Sequence, residues 1–225
     1  MKKTKLSVIA LSLSILIIGS AIAGTIAYLT SRDTVTNTFS LGNVEIKLDE
    51  ARVNLQGSPL DSNGNIVDDL KKADRHSSGN KYHLIPSQTY VKDPTVTVLK
   101  DSEESYVRML VTINCYNALQ TIYNGHFLPQ NFVEGWDNSI WTTTNNVVSG
   151  DKATYEFRYH KTVSAKDNNL TLEPLFSSFT VPEDFNGNDL KSLANFEITV
   201  EGNAIQKVGF NDDDSAWAAF DAQTK

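Results

Sequence analysis

The chain has 225 residues, a formal net charge of −7 and a single cysteine, Cys115. One cysteine excludes an intramolecular disulfide. The acidic charge argues against nucleic acid as a partner, because a phosphate backbone requires a basic surface. Behind the N-terminus, no stretch is apolar for the roughly 20 residues that a membrane span needs.

Residues 1–27 have the pattern of a secretory signal peptide. Three lysines within the first five residues precede an uncharged apolar run that ends among small residues, as exported proteins do. Ala21-Ile-Ala23 and Thr25-Ile-Ala27 both offer small side chains to a signal peptidase, and we expect cleavage between Ala27 and Tyr28. Cleavage would leave a mature net charge of −10. The alternative is an uncleaved anchor, for which residues 6–27 are long enough.

The rest of the chain is dominated by a period of two, which predicts strands. The clearest alternation runs over residues 105–116 and predicts a buried face formed by Val107, Met109, Val111, Ile113 and Cys115. An Asp-Pro pair at 93–94 interrupts the strand predicted over 91–99, because proline cannot donate to a ladder. The remaining predicted strands cover 44–48, 140–148, 152–162, 170–181 with a bend at Pro174, and 194–206.

Turns and helices are fewer. Asn63-Gly64 predicts a hairpin tip, residues 68–81 a polar loop with one helical turn, and residues 121–138 an irregular aromatic segment. The acidic run 212–214 is suited to capping a helix, and Trp217 and Phe220 then lie on one helical face. We predict a short helix over 215–222 and a second one over 189–194.

These patterns predict a mostly β protein with a jelly-roll-like antiparallel β-sandwich and a short C-terminal helix, preceded by a signal peptide. No linker of Pro- or Ser-rich composition divides it. We divide the chain into a signal peptide (1–27), an N-terminal strand or assembly segment (28–41) and one β-sandwich domain (42–225).

Several stretches resemble a known family, the TasA and camelysin group of exported proteins that are processed by a signal peptidase of the SipW type. The most specific of these stretches is the junction behind the apolar run. The stretches are Thr25-Ile-Ala-Tyr28-Leu-Thr30, Val35-Thr-Asn-Thr-Phe39, Gly42-Asn-Val-Glu-Ile-Lys-Leu48, Tyr82-His-Leu-Ile-Pro86, Val91-Lys-Asp-Pro-Thr-Val-Thr-Val98, Ala204-Ile-Gln-Lys-Val-Gly-Phe210 and Ser215-Ala-Trp-Ala-Ala-Phe220.

The resemblance implies a secreted TasA-like protein of a Gram-positive bacterium, located in the extracellular matrix or at the cell surface. In that family, mature subunits form biofilm fibres by lending an N-terminal strand to the next subunit, and some members are described as metallopeptidases. The expected partners are copies of the chain itself, a SipW-type signal peptidase and other matrix proteins. The membrane is a partner only before cleavage, and nucleic acid is not one.

The segment 28–41 suits strand exchange by its composition. It lacks proline and carries the β-compatible residues Tyr28, Leu29, Val35, Phe39 and Leu41, which we assign to the assembly strand. The alternative is that the segment packs on its own subunit as an ordinary first strand.

An enzyme is the rival hypothesis. The four histidines, His76, His83, His126 and His160, form no His-Glu-x-x-His motif, although His76 and His83 flank one polar loop. A secreted metallopeptidase stays open as an alternative function, but we assign no catalytic residue, no metal ligand and no cofactor. Cys115 extends an apolar face, and buried cysteines of this kind are inert.

Two further patterns have a structural and a functional interpretation. Asp61-Ser-Asn63-Gly-Asn65 alternates oxygen ligands but lacks the glycine and glutamate of a calcium loop, so we favour a hairpin tip. For the acidic run 212–214, we likewise favour the start of a helix over a metal site. A third alternative function, binding of carbohydrate or another exported partner, requires an exposed aromatic surface. We favour core packing for those aromatic residues, which are Tyr123, Phe127, Phe132, Trp136 and Trp141.

Overall fold

The structure, a computed structural model, describes residues 30–33, 43–129 and 132–223, with the backbone alone for 30–33. The predicted signal peptide, the cleavage site at Ala27 and Tyr28, and the assembly residues Leu29, Val35, Phe39 and Leu41 lie outside the described residues. These predictions therefore stay predictions.

The described part of the chain forms short strands with a few helices between them. The strands are β1 (Thr30–Asp33), β2 (Ile46–Ala51), β3 (Arg75–His76), β4 (Thr89–Val91), β5 (Thr95–Val98), β6 (Ser102–Ile113), β7 (Val133–Glu134), β8 (Trp141–Ser149), β9 (Lys152–Tyr159), β10 (Val163–Ala165), β11 (Leu170–Thr171), β12 (Ser178–Thr180) and β13 (Ile198–Gln206). The helices are a 3₁₀ turn (Leu70–Lys72), α1 (Tyr116–Ile122), α2 (Gly187–Ser192) and α3 (Asp213–Gln223).

Three antiparallel sheets enclose the main core, and the predicted β-sandwich with a C-terminal helix is confirmed. The largest sheet has the order β1-β13-β6-β9-β8, with β10 also pairing with β6. The second has the order β11-β5-β2-β3 and the third β4-β12-β7. The first two sheets approach closely at Gly202 of β13, where an added Cβ would lie 3.3 Å from Val96 Cγ2 of β5.

The alternation predicted from sequence places the core correctly in the two central strands. Val107, Met109, Val111 and Ile113 of β6 are buried, and so is every second residue of β9 from Ala153 to Tyr159. The hairpin of β8 and β9, the break at Asp93-Pro94 and the bend before β12 are also confirmed.

A second, smaller core lies on the outer face of the largest sheet. Trp217 and Phe220 of α3 pack there with Ile205 of β13. The predicted C-terminal helix is thus confirmed. It begins two residues earlier and ends one residue later than predicted. Helix α2 also begins two residues before the prediction, behind a capping box formed by Asn186 and Asp189.

One region differs from the prediction. Strand β6 ends at Ile113, and Cys115 adopts a left-handed φ of 53° directly before α1, so the expected strand through residue 116 was wrong. Sequence reasoning missed α1 because its cap comes from a distant part of the chain. Asp151, at the tip between β8 and β9, accepts the Asn117 amide with its side chain at 2.8 Å and the Tyr116 amide with its carbonyl at 3.2 Å.

Candidate assembly edge

Strand β1 lies at one edge of the largest sheet and covers only part of its neighbour. It pairs antiparallel with β13, with Thr30 opposite Ile205 and Asp33 opposite Gly202. On its other side β13 pairs with β6 over its whole length. Within the described residues, no strand pairs with positions 198–200 on the β1 side. The unpaired main-chain groups of a strand edge are the kind that an extended segment can complete.

A groove of about 1020 Å³ runs beside this edge. One wall is the segment 78–84, and the other is formed by residues 190–199. Apolar side chains line much of it and include Tyr82, Leu84, Leu190, Leu193 and Phe196. An edge with a mixed apolar groove beside it can bind a strand through main-chain hydrogen bonds and through alternate side chains.

The outer face of β13 is held in place by Arg108 of β6. This guanidinium is buried and donates from Nε to Asn203 Oδ1 at 3.2 Å and from Nη2 to Asp221 Oδ1 at 2.5 Å. It also lies 4.4 Å from the centre of the Trp217 ring. The contact fixes α3 on the strand that forms the edge, and α3 in turn covers the Arg108 guanidinium.

A cluster of buried charges supports the groove wall formed by the segment 78–84. Lys92 pairs with Glu50 at 2.6 Å, and Asn80 donates to the same carboxylate at 2.9 Å. Burial, together with the nearby negative charge of Glu50, raises the pKa of Tyr82 above its usual value. Sequence reasoning missed these groups because they are up to 42 positions apart and their types are common on surfaces.

Arg75 connects two acidic residues beside this cluster. Its Nε donates to Asp49 and its Nη1 to Asp93, each at 2.6 Å. Burial alone would lower the pKa of Arg75, but the hydrogen bonds to Asp93 and Asp49 outweigh it, and the pKa is raised. The guanidinium therefore stays charged and ties β3 to β2.

The four histidines do not form a common site. His76 contacts Ser78 and Asn80, whereas His83, His126 and His160 are exposed. Across the described ranges, no three His, Cys, Asp or Glu side chains converge on a point that could hold a metal ion.

The remaining candidates have structural roles. Asp61 Oδ1 accepts the amides of Asn63 and Asn65 at 2.9 and 2.8 Å, which confirms the hairpin tip. Asp212 Oδ1 accepts the Ser215 amide at 2.8 Å and so starts α3. Cys115 is half-buried outside the strand, contrary to the prediction of a buried strand residue, and burial raises the pKa of its thiol.

The aromatic cluster belongs to the core, and the predicted core packing is confirmed. Phe127, Phe132 and Trp141 are buried. Trp136 is half-buried and donates from Nε1 to the carbonyl of Trp141 at 2.8 Å. These side chains therefore do not form the exposed surface that carbohydrate binding would require.

Comparisons with known proteins identify no relative of this chain. No family model, no curated protein and no solved structure matches the chain significantly. In the part of the chain that the structure covers, no helix has the length and apolar character needed to cross a bilayer.

Proposed function

We propose that this protein is a secreted structural subunit of an extracellular, biofilm-type matrix, and that each subunit lends its N-terminal strand to the next. The observation that carries the proposal is the edge of β13. Four N-terminal residues pair with it, and positions 198–200 have no strand on the same side in the described structure. Unpaired N–H and C=O groups of such an edge are completed by an extended segment.

The register of β1 determines where a longer donated strand would lie. Thr30 stands opposite Ile205, so the same register, continued in a donated strand, places Val35 opposite Val200. Directly opposite residues of an antiparallel pair share one face of the sheet. Val200 packs against the main core, and the donated Val35 would therefore add to that core.

The same register brings the last apolar residues of the segment to the groove. Phe39 would lie four positions further along the donated strand, beyond the start of β13 at Ile198 and near Phe196, which lines the groove with Leu193. Leu41 follows two positions later and shares the face of Phe39, because side chains of a strand alternate. Two of the sequence-predicted assembly residues thus have an apolar surface to contact.

Pairing within one molecule and pairing between molecules use the same hydrogen bonds. Exchange of a strand therefore costs little beyond association itself, and concentration decides between the two forms. A head-to-tail contact of this kind does not close and grows into a filament. Before cleavage by the SipW-type peptidase, the leader would hold the segment at the membrane and delay pairing.

Truncation tests the proposal. Protein that begins at Tyr28 should form filaments as its concentration rises, whereas protein that begins at Asn43 should stay monomeric in sedimentation and electron microscopy. Phe39→Asp should block growth, and Thr38→Asp is the matched control because it adds the same charge to the opposite face. If the chains beginning at Tyr28 and Asn43 both stay monomeric, or polymerise equally, strand donation is refuted.

A further inference from the structure

The two carboxylate oxygens of the buried Glu50 bind different groups. One binds the amine of Lys92, and the other binds the side-chain amide of Asn80. Lys92 Nζ lies 2.6 Å from Glu50 Oε2, and Asn80 Nδ2 lies 2.9 Å from Glu50 Oε1. The side chains of Lys92 and Glu50 are only 7% and 8% exposed. A potential nucleophile and an acyl group therefore bind the two oxygens of one largely buried carboxylate, which could carry a proton between them.

The orientation of the Asn80 amide is determined by its partners. Nδ2 donates to Glu50 Oε1 and to the carbonyl of Ala51 at 2.8 Å, and both partners can only accept. Oδ1 accepts the amide N–H of Val53 at 3.0 Å, which can only donate. The leaving nitrogen thus faces the carboxylate, and the carbonyl oxygen faces away from it.

Two donors point at the oxygen on which charge would develop during attack at Asn80 Cγ. One is the Val53 N–H, and the other is His76 Nε2, 3.0 Å from Oδ1. Since Oδ1 cannot donate, Nε2 is the donor in this contact, and the other ring nitrogen, Nδ1, lies 2.7 Å from Ser78 Oγ. Paired donors of this kind stabilise a tetrahedral oxyanion.

We propose that Lys92 and Asn80 become joined by an intramolecular amide bond, with Glu50 as the proton carrier. Nζ gives one proton to Glu50 and attacks Cγ, so that the Nζ–Cγ bond forms. A second Nζ proton passes to Nδ2, the Cγ–Nδ2 bond breaks, and ammonia leaves. The ammonia takes the proton held by Glu50 and departs as ammonium, which restores the carboxylate.

The site has an exit for the small product. A cavity of about 340 Å³ is lined by Glu50, His76, Ser78, Gly79 and Lys92. The bond would connect the segment 78–84 to the residues between β4 and β5, and a covalent tie between two positions that are not neighbours in sequence restricts the unfolded chain. It would do so in a chain whose single cysteine cannot form an internal disulfide.

Mass spectrometry of the purified protein tests the bond. The intact mass should be about 17 Da below the sequence mass, because one ammonia is lost. Trypsin should then yield residues 76–81 covalently joined to residues 82–100, because the modified Lys92 is no longer cleaved. Loss of ammonia at an Asn-Gly pair would change the mass equally, so the joined peptide is the decisive product.

Two variants supply the controls. Lys92→Arg keeps a cation opposite Glu50 but removes the nucleophilic amine, and Glu50→Gln removes the proton carrier at nearly constant shape. Both should keep the full sequence mass and yield separate peptides, with circular dichroism spectra of a folded protein. The proposal is overturned if the unmodified chain yields separate peptides after prolonged incubation at neutral pH, or if Lys92→Arg still gives a joined product.

Discussion

The two edges of the largest sheet are built in different ways. At one edge, β8 pairs with β9 from Trp141 to Ser149 through a tight hairpin. At the other, four residues near the N-terminus pair with the far end of the chain, Thr30 with Ile205. The hairpin is local and covers its neighbour fully, whereas the terminal strand is remote in sequence and covers less than half of β13.

Under the proposed strand exchange, this difference in connectivity favours exchange at the β1 edge. Replacing β8 would require opening a hairpin whose arms are joined by two residues. Once the chain is cleaved behind Ala27, as we propose, replacing β1 would require only the release of a chain end. The positions 198–200 of β13 have no partner on that side among the described residues. The hydrogen bonds at the two edges are of the same kind. The expected difference in strand exchange therefore comes from how each edge strand is connected to the rest of the chain.

The largest expected effect is on stability at the β8 edge. Trp141 begins β8, is 1% exposed and donates to the carbonyl of Glu173 at 2.9 Å. Trp141→Ala should lower the free energy of unfolding by about 3–5 kcal/mol. Val147→Ala, in the same strand but 56% exposed, should change it by about 0.5 kcal/mol or less. Urea denaturation measures both, and equal effects would contradict the assignment of Trp141 to the core.

The next effect concerns the outer face near β13. Arg108→Ala should destabilise by about 2–3 kcal/mol, because it leaves the buried Asn203 oxygen without its donor and a gap beneath Trp217. Arg158 stands directly opposite on β9, but one of its partners, Asp214, is 85% exposed. Arg158→Ala should therefore cost about 1 kcal/mol or less. A larger loss for Arg158 in the same denaturation assay would show that α3 is held mainly from the β9 side.

The smallest expected effect is a loss of stability at alkaline pH, caused by a tyrosine of β9. At neutral pH this loss does not occur. Burial raises the pKa of Tyr155 to about 12. The folded state thus keeps a proton that the unfolded chain loses near pH 10, so stability is complete below about pH 10 and falls as the pH rises towards 12. Unfolding midpoints measured at pH 9 and 11 should show this loss, and Tyr155→Phe should reduce it. An unchanged difference in Tyr155→Phe would assign the loss to other groups.

Sequence patterns predicted the strands that obey a local rule. Alternation located the buried faces of β6 and β9, and the acidic run 212–214 located α3. The patterns failed where a distant contact decides the structure. Helix α1 depends on Asp151 for its cap, and Arg108 is covered only because α3 folds back over it.

The candidate site also has one part that could be predicted from the sequence and one part that could not. The composition of residues 28–41 predicted a pairing strand, and the structure shows Thr30–Asp33 paired with β13 of the same chain. The groove beside β13 could not be predicted, since its walls come from segments about 110 positions apart. The contacts of Glu50 with Asn80 and Lys92 could not be predicted either, because each of these is an ordinary polar residue in its own segment.

The most direct test asks which molecule each β1 pairs with in assembled material. Ser31 and Ala204 are opposite each other, and opposite positions in an antiparallel pair are about 4.5–5.5 Å apart between Cα atoms, within disulfide range. Ser31→Cys with Ala204→Cys, in a Cys115→Ser background, should be assembled at high concentration, oxidised and denatured. A reducible ladder of covalent oligomers is the result we predict, whereas monomers cross-linked only within themselves would contradict strand exchange.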